Sequence, residues 1–355
     1  QIERIMPDAT SPIAARWIQR WLIVIGLMVY AMILIGGATR LTDSGLSITE
    51  WAPLKGALPP LSEQAWLSEF EKYKATAEFQ QQNYNMTMSE FQFIYWWEWG
   101  HRLFGRLIGL VAIGGFIWFA AMRWLSTKWA ARLGVLIALG GLQGFIGWWM
   151  VASGIGETER LDVAPYRLMT HFGLALLIIA ITAWFWFDLS ERERRPASDQ
   201  LRWLAIGLLG LTSFQMMSGA LVAGLDAGRS YTDWPLMAGE LVPTHYIDTE
   251  LGVRSLFEGR AATQFNHRAG AYLLWALSLF AAFQARGTSL FKGYAVIAVL
   301  VSAQAVWGII TLVNAAPLPI ALVHQGLGVI VLLAAIWLVW TTRPQPLSNT
   351  QTAPA

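Results

Sequence analysis

Cysteine is absent from this chain of 355 residues. Without thiols the chain can form no disulfide, no iron–sulfur cluster, no thiolate zinc site and no covalent c-type haem attachment. Any metal must therefore be held by histidine, methionine or carboxylate side chains.

Charge is also scarce, because Asp, Glu, Lys and Arg make up 14% of the residues while 55% are hydrophobic. The mean hydropathy of +0.44 is too high for an ordinary soluble protein. About 20 apolar residues cross a bilayer as a helix. On that length, the sequence predicts an all-α integral membrane protein with eight transmembrane helices, near 17–38, 92–122, 129–152, 165–189, 201–223, 264–285, 290–313 and 318–341.

Basic residues in the short connections predict the orientation of these spans. Arg123 follows the second span, Arg195 follows the fourth and Arg286 follows the sixth. Connections rich in Lys and Arg stay in the cytoplasm, so we expect both termini to be cytoplasmic and the long connections, roughly 39–91 and 224–263, to lie outside. The first apolar run is long enough to be a span itself, so we expect no separate cleavable signal.

An internal repeat runs through the chain. The loop after the first span reads DSGLSITEW (43–51), and the loop after the fifth reads DAGRSYTDW (226–234). EWGHRLFGRLIGL opens the second span and QFNHRAGAYLLW opens the sixth, and the third and seventh spans share a Gln-x-x-x-Gly pattern at Gln143 and Gln304.

The order of these matches predicts two homologous four-helix bundles. Each half has an even number of spans, so the copies share one orientation and form a parallel repeat. We expect an N-terminal half over 1–189, a cytoplasmic linker over 190–200, and a C-terminal half over 201–355.

Four of the five histidines occupy equivalent places in the repeat: His101 and His171 in the first half, His267 and His324 in the second. By the predicted topology all four lie near the outer ends of their spans, within about two turns of the helix starts. One such histidine could simply donate to a neighbouring carbonyl. Ionisable residues within spans are usually functional, however, and histidine pairs in a four-helix bundle suit a haem iron with two axial imidazoles. The pattern predicts two porphyrin sites, and His245 has no counterpart.

Several arginines lie close to these histidines and could bind haem propionates through paired hydrogen bonds. Arg167 precedes His171 by one helical turn. Each arginine could instead pair with loop acids or lipid phosphates. The candidates are Arg40, Arg102, Arg106, Arg167 and Arg268.

The repeat breaks at Glu98, three residues before His101, because the matching residue before His267 is Gln264. Only the first half therefore keeps an acid beside its histidine. A buried carboxyl there can accept or donate a proton. The alternative is an ion pair with Arg102 one turn later. The asymmetry favours chemistry in the first half and electron storage in the second.

Together with the loop and helix motifs above, YRLMTHFGLALL, GALVAGLDAGRSYTDWP and LVHQGLGVIVLL resemble the haem A synthase family over nearly the whole chain. The resemblance implies oxidation of the C8 methyl group of haem O to a formyl group by successive hydroxylations, giving haem A for cytochrome oxidase. It implies axial ligation of a permanent haem B by His267 and His324. It also implies substrate binding between His101 and His171, with Glu98 relaying a proton or positioning water.

The chain lacks the cysteine pair that some bacterial members of this family carry in the outer loop after the first span. It is similar to the cysteine-free branch of alphaproteobacteria and mitochondria. An N-terminus without an Arg- and Ser-rich transit peptide favours the bacterial plasma membrane over the mitochondrial inner membrane.

Expected partners are haem O, membrane lipid and an unidentified electron carrier. Haem O synthase, oxidase assembly factors and a second copy of the chain are further candidates, and nothing points to nucleic acid. The alternative function is a two-haem electron-transfer cytochrome, which would explain the four histidines but not Glu98. A transporter built from parallel repeats is a third interpretation, but it would require charged or broken helices near the membrane midplane.

Overall fold

The computed structural model describes residues 11–52, 55–155, 160–190 and 194–344. Both chain ends and part of the predicted linker 190–200 therefore lie outside the described residues. Within them the chain is all-helical and forms no β-strand, only an isolated bridge between Met237 and Glu240. The α-helices are α1 Pro12–Leu41, α2 Glu63–Lys74, α3 Ala77–Gln81, α4 Met88–Ala121, α5 Thr127–Val151, α6 Pro165–Leu189, α7 Asp199–Gly224, α8 Ser255–Glu258, α9 Arg260–Gln284, α10 Phe291–Val313 and α11 Leu318–Thr341.

Each predicted span coincides with one long helix. The largest difference in a helix end is at α1, which begins at Pro12 rather than at residue 17, and the early start of α4 has a local cause. α4 begins at Met88 because Thr87 and Glu90 form a capping box. The Glu90 carboxylate accepts from the Thr87 N–H at 2.8 Å. His101 consequently lies about 20 Å from the start of α4 at 1.5 Å per residue, further in than the expected two turns.

Seven of the described helices are long and apolar enough to cross a membrane: α1, α4, α5, α6, α7, α10 and α11. α9 is as long as α5 and α6, at 25 residues. It falls short in hydropathy because Gln264, Asn266, His267 and Arg268 crowd its early turns. The helical membrane class is confirmed, while the eighth span and the grouping into two bundles stay predictions.

The long helices pack in a cyclic order within each half. α1 contacts α4 and α6, with α5 between those two; α7 contacts α9 and α11, with α10 between those two. The halves meet where α6 contacts α7 and α11, and where α1 contacts α11. One buried core lies around Ile18, Leu133 and Ile179, and a second lies around Leu208 and Tyr294.

An aromatic layer holds the segment between α1 and α4 against α4. The Phe70 ring stacks on Phe91 with centroids 4.8 Å apart, and Tyr73 stacks on the same ring at 5.3 Å. Ile48 and Ile94 belong to the same buried cluster. The loop after α1 is thereby packed against α4 near Ile94, one turn before Glu98.

Near the C-terminal end of α6, Asp188 links α6 to α5 and α11. Its Oδ1 accepts from the Trp340 indole N–H of α11 at 2.9 Å and from Arg343, just after α11, at 2.7 Å. Its Oδ2 lies 3.3 Å from Arg132 of α5. The two halves are therefore linked by charge at this end of the molecule.

Candidate functional site

Each of the four predicted histidine ligands lies against a glycine of the neighbouring helix. An added Cβ would lie 2.8 Å from His171 Cε1 at Gly147, 3.1 Å from His267 Cε1 at Gly219, and 2.9 Å from His324 Cε1 at Gly308. At Gly36 the nearest atom is His101 Nε2, at 3.3 Å. A side chain at any of these glycines would displace the imidazole, so the glycines are needed for the ring positions.

Three glutamines hold three of these histidines from the adjacent helix. The amide Nε2 donates to the backbone carbonyl of the histidine at 3.0 Å from Gln143 to His171, 2.8 Å from Gln215 to His267, and 2.9 Å from Gln304 to His324. Sequence reasoning singled out Gln143 and Gln304 but missed Gln215. The Gln-x-x-x-Gly spacing that all three share was the signal that could have revealed it.

His101 is near enough to His171 to interact electrostatically, and His267 is near enough to His324. The assignment of these histidines as ligands stays a prediction. His245 lies exposed between α7 and α8, apart from both pairs.

These surroundings fit a haem with two axial histidines. The glycines leave room beside each ring, and His324 Nδ1 is buried without a hydrogen-bond partner, as a nitrogen that is free to bind a metal would be. No group of three or more metal-binding side chains occurs among the described residues, and a porphyrin iron needs only the two axial ligands from the protein. His101 with His171, and His267 with His324, would hold the two groups.

Glu98 is buried, with 3% of its surface exposed, and both carboxylate oxygens are bonded. Oε2 accepts from the Ser47 hydroxyl and from the Ile48 N–H, each at 2.7 Å. Oε1 accepts from Arg102 Nη2 at 2.5 Å. The ion pair weighed above is therefore present, and Glu98 joins α4 to the loop after α1.

The second half repeats this junction with an amide in place of the acid. Arg268 Nη2 donates to Gln264 Oε1 at 3.3 Å, and Gln264 Nε2 donates to the Tyr231 carbonyl at 2.9 Å. Arg102 and Arg268 also donate to the equivalent loop carbonyls, those of Ile48 and Tyr231, at 2.9 and 3.1 Å. The junctions therefore differ in the charge of Glu98 and in the direction of the hydrogen bond to the loop, because Ile48 donates to Glu98 whereas Gln264 donates to Tyr231.

Arg40 lies among three loop carboxylates at the meeting of the halves. It contacts Asp43 at 2.8 Å, Asp226 at 2.7 Å and Asp162 at 3.4 Å. Asp43 and Asp226 are equivalent in the repeat, so one arginine of the first half forms ion pairs with both equivalent loops. These contacts correspond to the alternative of pairing with loop acids, and propionate binding by Arg40 stays a prediction.

Two other arginines of the first half donate to nearby carbonyls. Arg167 donates to the Trp149 carbonyl at 2.6 Å and lies over the Trp149 ring, 4.5 Å from its centroid. Arg106 donates to the Ala52 carbonyl at 3.3 Å. Their assignment to propionates, like that of Arg102 and Arg268, also stays a prediction.

The fold and the site together define a multi-pass, all-helical membrane protein that repeats one histidine–glycine contact four times. A family model described as "Cytochrome oxidase assembly protein" matches residues 19–336. The chain belongs to this family.

Curated relatives cover almost the full chain. It is 67% identical to the haem A synthase of Hyphomonas neptunium, over 94% of this chain and 95% of that protein. It is 46% identical to the haem A synthase of Maricaulis maris, over 94% and 98% of the two chains, and 46% identical to that of Paracoccus denitrificans, over 90% and 86%. The expected resemblance to haem A synthases is confirmed, and these bacterial relatives favour a bacterial membrane.

Proposed function

We propose that this chain oxidises the C8 methyl group of haem O to a formyl group, giving haem A. The observation that carries the proposal is the fourfold histidine–glycine contact combined with an acid at only one of the two junctions. We further propose eight spans, α9 included, arranged as two four-helix bundles with both termini in the cytoplasm of a bacterium.

The first half holds the substrate in this proposal. His101 and His171 bind haem O between α4 and α6, and the glycines at Gly36 and Gly147 keep the ring positions open. The apolar walls of the helices exclude water from all but the outer end, where Glu98 lies.

Glu98 supplies the proton acceptor of the first half. Its carboxylate is held by three donors, so its position relative to His101 is fixed before substrate arrives. Conversion of the methyl group to a formyl group with oxygen from water releases protons and electrons, and a fixed carboxylate beside the site can receive a proton. Gln264 at the equivalent position has no such capacity.

The second half serves electron transfer. A haem B bound there would supply one-electron redox chemistry. His267 and His324 would hold it, while Gln215 and Gln304 hold their helices in place. A carrier outside this chain would accept the electrons.

The test is extraction and chromatography of haem from protein purified out of cells that also make haem O. Wild-type protein is expected to yield haem B together with haem A or partly oxidised haem O. Glu98→Gln converts the first junction to the amide of the second, and is expected to accumulate haem O or an intermediate. Glu90→Gln, at the exposed start of the same helix, is the matched control and is expected to behave as wild type.

Two outcomes would contradict the proposal. Haem B alone, at two per chain in both wild type and Glu98→Gln, would identify a two-haem electron-transfer cytochrome. Unchanged haem A formation by Glu98→Gln would assign Glu98 to the structural junction with Arg102 alone.

A further inference from the structure

The Gln-x-x-x-Gly pattern occurs beside three of the four histidines, and the fourth has methionine in place of glutamine. Gln143, Gln215 and Gln304 each precede the glycine that faces a histidine by four residues. Beside His101 that position is Met32, four residues before Gly36. In the repeat Met32 aligns with Gln215, with the same offset that aligns Gly36 with Gly219.

The glutamine holds the histidine-bearing turn to the neighbouring helix. Its N–H donates to the histidine carbonyl at 2.8–3.0 Å in all three cases. Inside a membrane, side-chain hydrogen bonds between helices restrain their relative movement, and each contributes a modest but measurable stability. His171, His267 and His324 are restrained in this way.

Met32 cannot make this contact, because a thioether has no hydrogen to donate. Its methyl group packs instead against α4, where a Cβ added at Gly105 would lie 3.3 Å from Met32 Cε. The His101 ring is also turned differently from the other three. It presents Nε2 and Cδ2 to Gly36, at 3.3 and 3.7 Å from an added Cβ, whereas the others present Cε1.

We propose that Met32 makes His101 the exchangeable ligand of the substrate haem. A substrate site must release its product after each turnover, whereas a permanent cofactor site must not, and this inference rests on the function proposed above. His171, restrained by Gln143, stays in place while haem O enters and haem A leaves by detachment from His101. Met32 acts as a positioning residue because it leaves His101 without the hydrogen bond that a glutamine donates at the other three sites.

Carbon monoxide binding to the reduced, haem-loaded protein tests this, because CO binds a haem with two axial histidines only when one of them leaves. The two haems are followed separately through the different absorption maxima of haem O and haem B. In wild type, CO is expected to bind faster at the first-half haem than at the second. Equal or slower binding there would overturn the inference.

Met32→Gln introduces the missing donor and is expected to slow CO binding at the first-half haem about threefold, which corresponds to one average hydrogen bond between membrane helices. Gln304→Met is expected to speed CO binding at the second-half haem by about the same factor. Met28→Gln, one turn earlier on α1, is the matched control and should change neither rate.

Unchanged rates in folded Met32→Gln would overturn the role of Met32. If Met32→Gln does not fold, the wild-type comparison and Gln304→Met decide, and an unchanged second-half rate in Gln304→Met would overturn it equally. Failure of the proposed function looks different, because the purified protein would then contain two identical haems or none.

Discussion

The two halves of this protein share one scaffold and differ in a few side chains placed at corresponding points. Both have the histidine–glycine contact twice, and both anchor an arginine to the loop after their first helix. The first half has Glu98 and Met32 where the second has Gln264 and Gln215. Each exchange alters charge or hydrogen bonding. Under the function proposed above, such exchanges divide a repeated scaffold into a reactive site and a retentive site.

Removing one histidine from each half should give the largest effects and tests whether the sites are independent. His267→Ala is expected to reduce retention of haem B at least about tenfold, because the iron loses one of its two protein ligands. His101→Ala should spare haem B and deplete the first-half haem. Haem-to-protein ratios measured after purification check both.

His245→Ala is the control for this pair, since His245 is exposed in a loop. Loss of haem B from His101→Ala would contradict the assignment of separate sites to the two halves.

Arg40→Leu tests the ionic link between the halves. Arg40 is 12% exposed at its side chain and its three carboxylate partners are 34–41% exposed, so the cluster is only partly screened by water. We expect unfolding free energy to fall by roughly 2 kcal/mol, between the values of surface and buried ion pairs. Chemical unfolding in detergent micelles measures this.

Arg229→Leu, an exposed arginine in the loop of the second half, should change stability little. An equal loss of unfolding free energy in both variants would show that the cluster around Arg40 stabilises the protein no more than an exposed arginine does.

The smallest effect concerns Glu78 of α3, in the segment between α1 and α4. Burial, followed by repulsion from Asp162, Asp43 and Glu98, raises the pKa of Glu78 to about 8. The folded protein then holds a proton that the unfolded chain releases above its ordinary pKa of 4.5. Stability should therefore fall as pH rises from about 4.5 to 8, and level off above that.

Glu78→Gln is expected to flatten this decline and to stabilise the protein at pH 8 by at least about 1.4 kcal/mol, the equivalent of one pKa unit. Thermal unfolding at pH 5, 6.5 and 8 provides the measurement. Glu63→Gln, exposed at the start of α2, is the control and should leave the decline intact. A wild-type stability that rises with pH would contradict the burial of a protonated Glu78.

The long helices and the equivalence of the histidines could be predicted because both depend on patterns along the chain. Apolar runs of membrane length reveal helices, and His101 and His267 are visible as equivalents within two similar motifs. The prediction placed the start of this span at residue 92, whereas α4 begins at Met88, because the capping box that starts the helix lies outside the apolar run. Gln215 was missed although it shares the Gln-x-x-x-Gly spacing, because its hydrogen bond to the His267 carbonyl joins residues far apart in the sequence.

The sequence by itself determined that the chain is an all-helical membrane protein with a repeated, thiol-free set of histidines, because composition and periodicity are properties of the chain alone. Only the tertiary structure decided what the polar side chains contact. Arg40 contacts three carboxylates, and Glu98 is bonded to Arg102 and to the loop after α1. Met32 packs beside Gly105, whereas the other three histidine sites have a glutamine that donates to the histidine carbonyl. Such contacts join residues that are distant in sequence, and their geometry is set by how the helices pack.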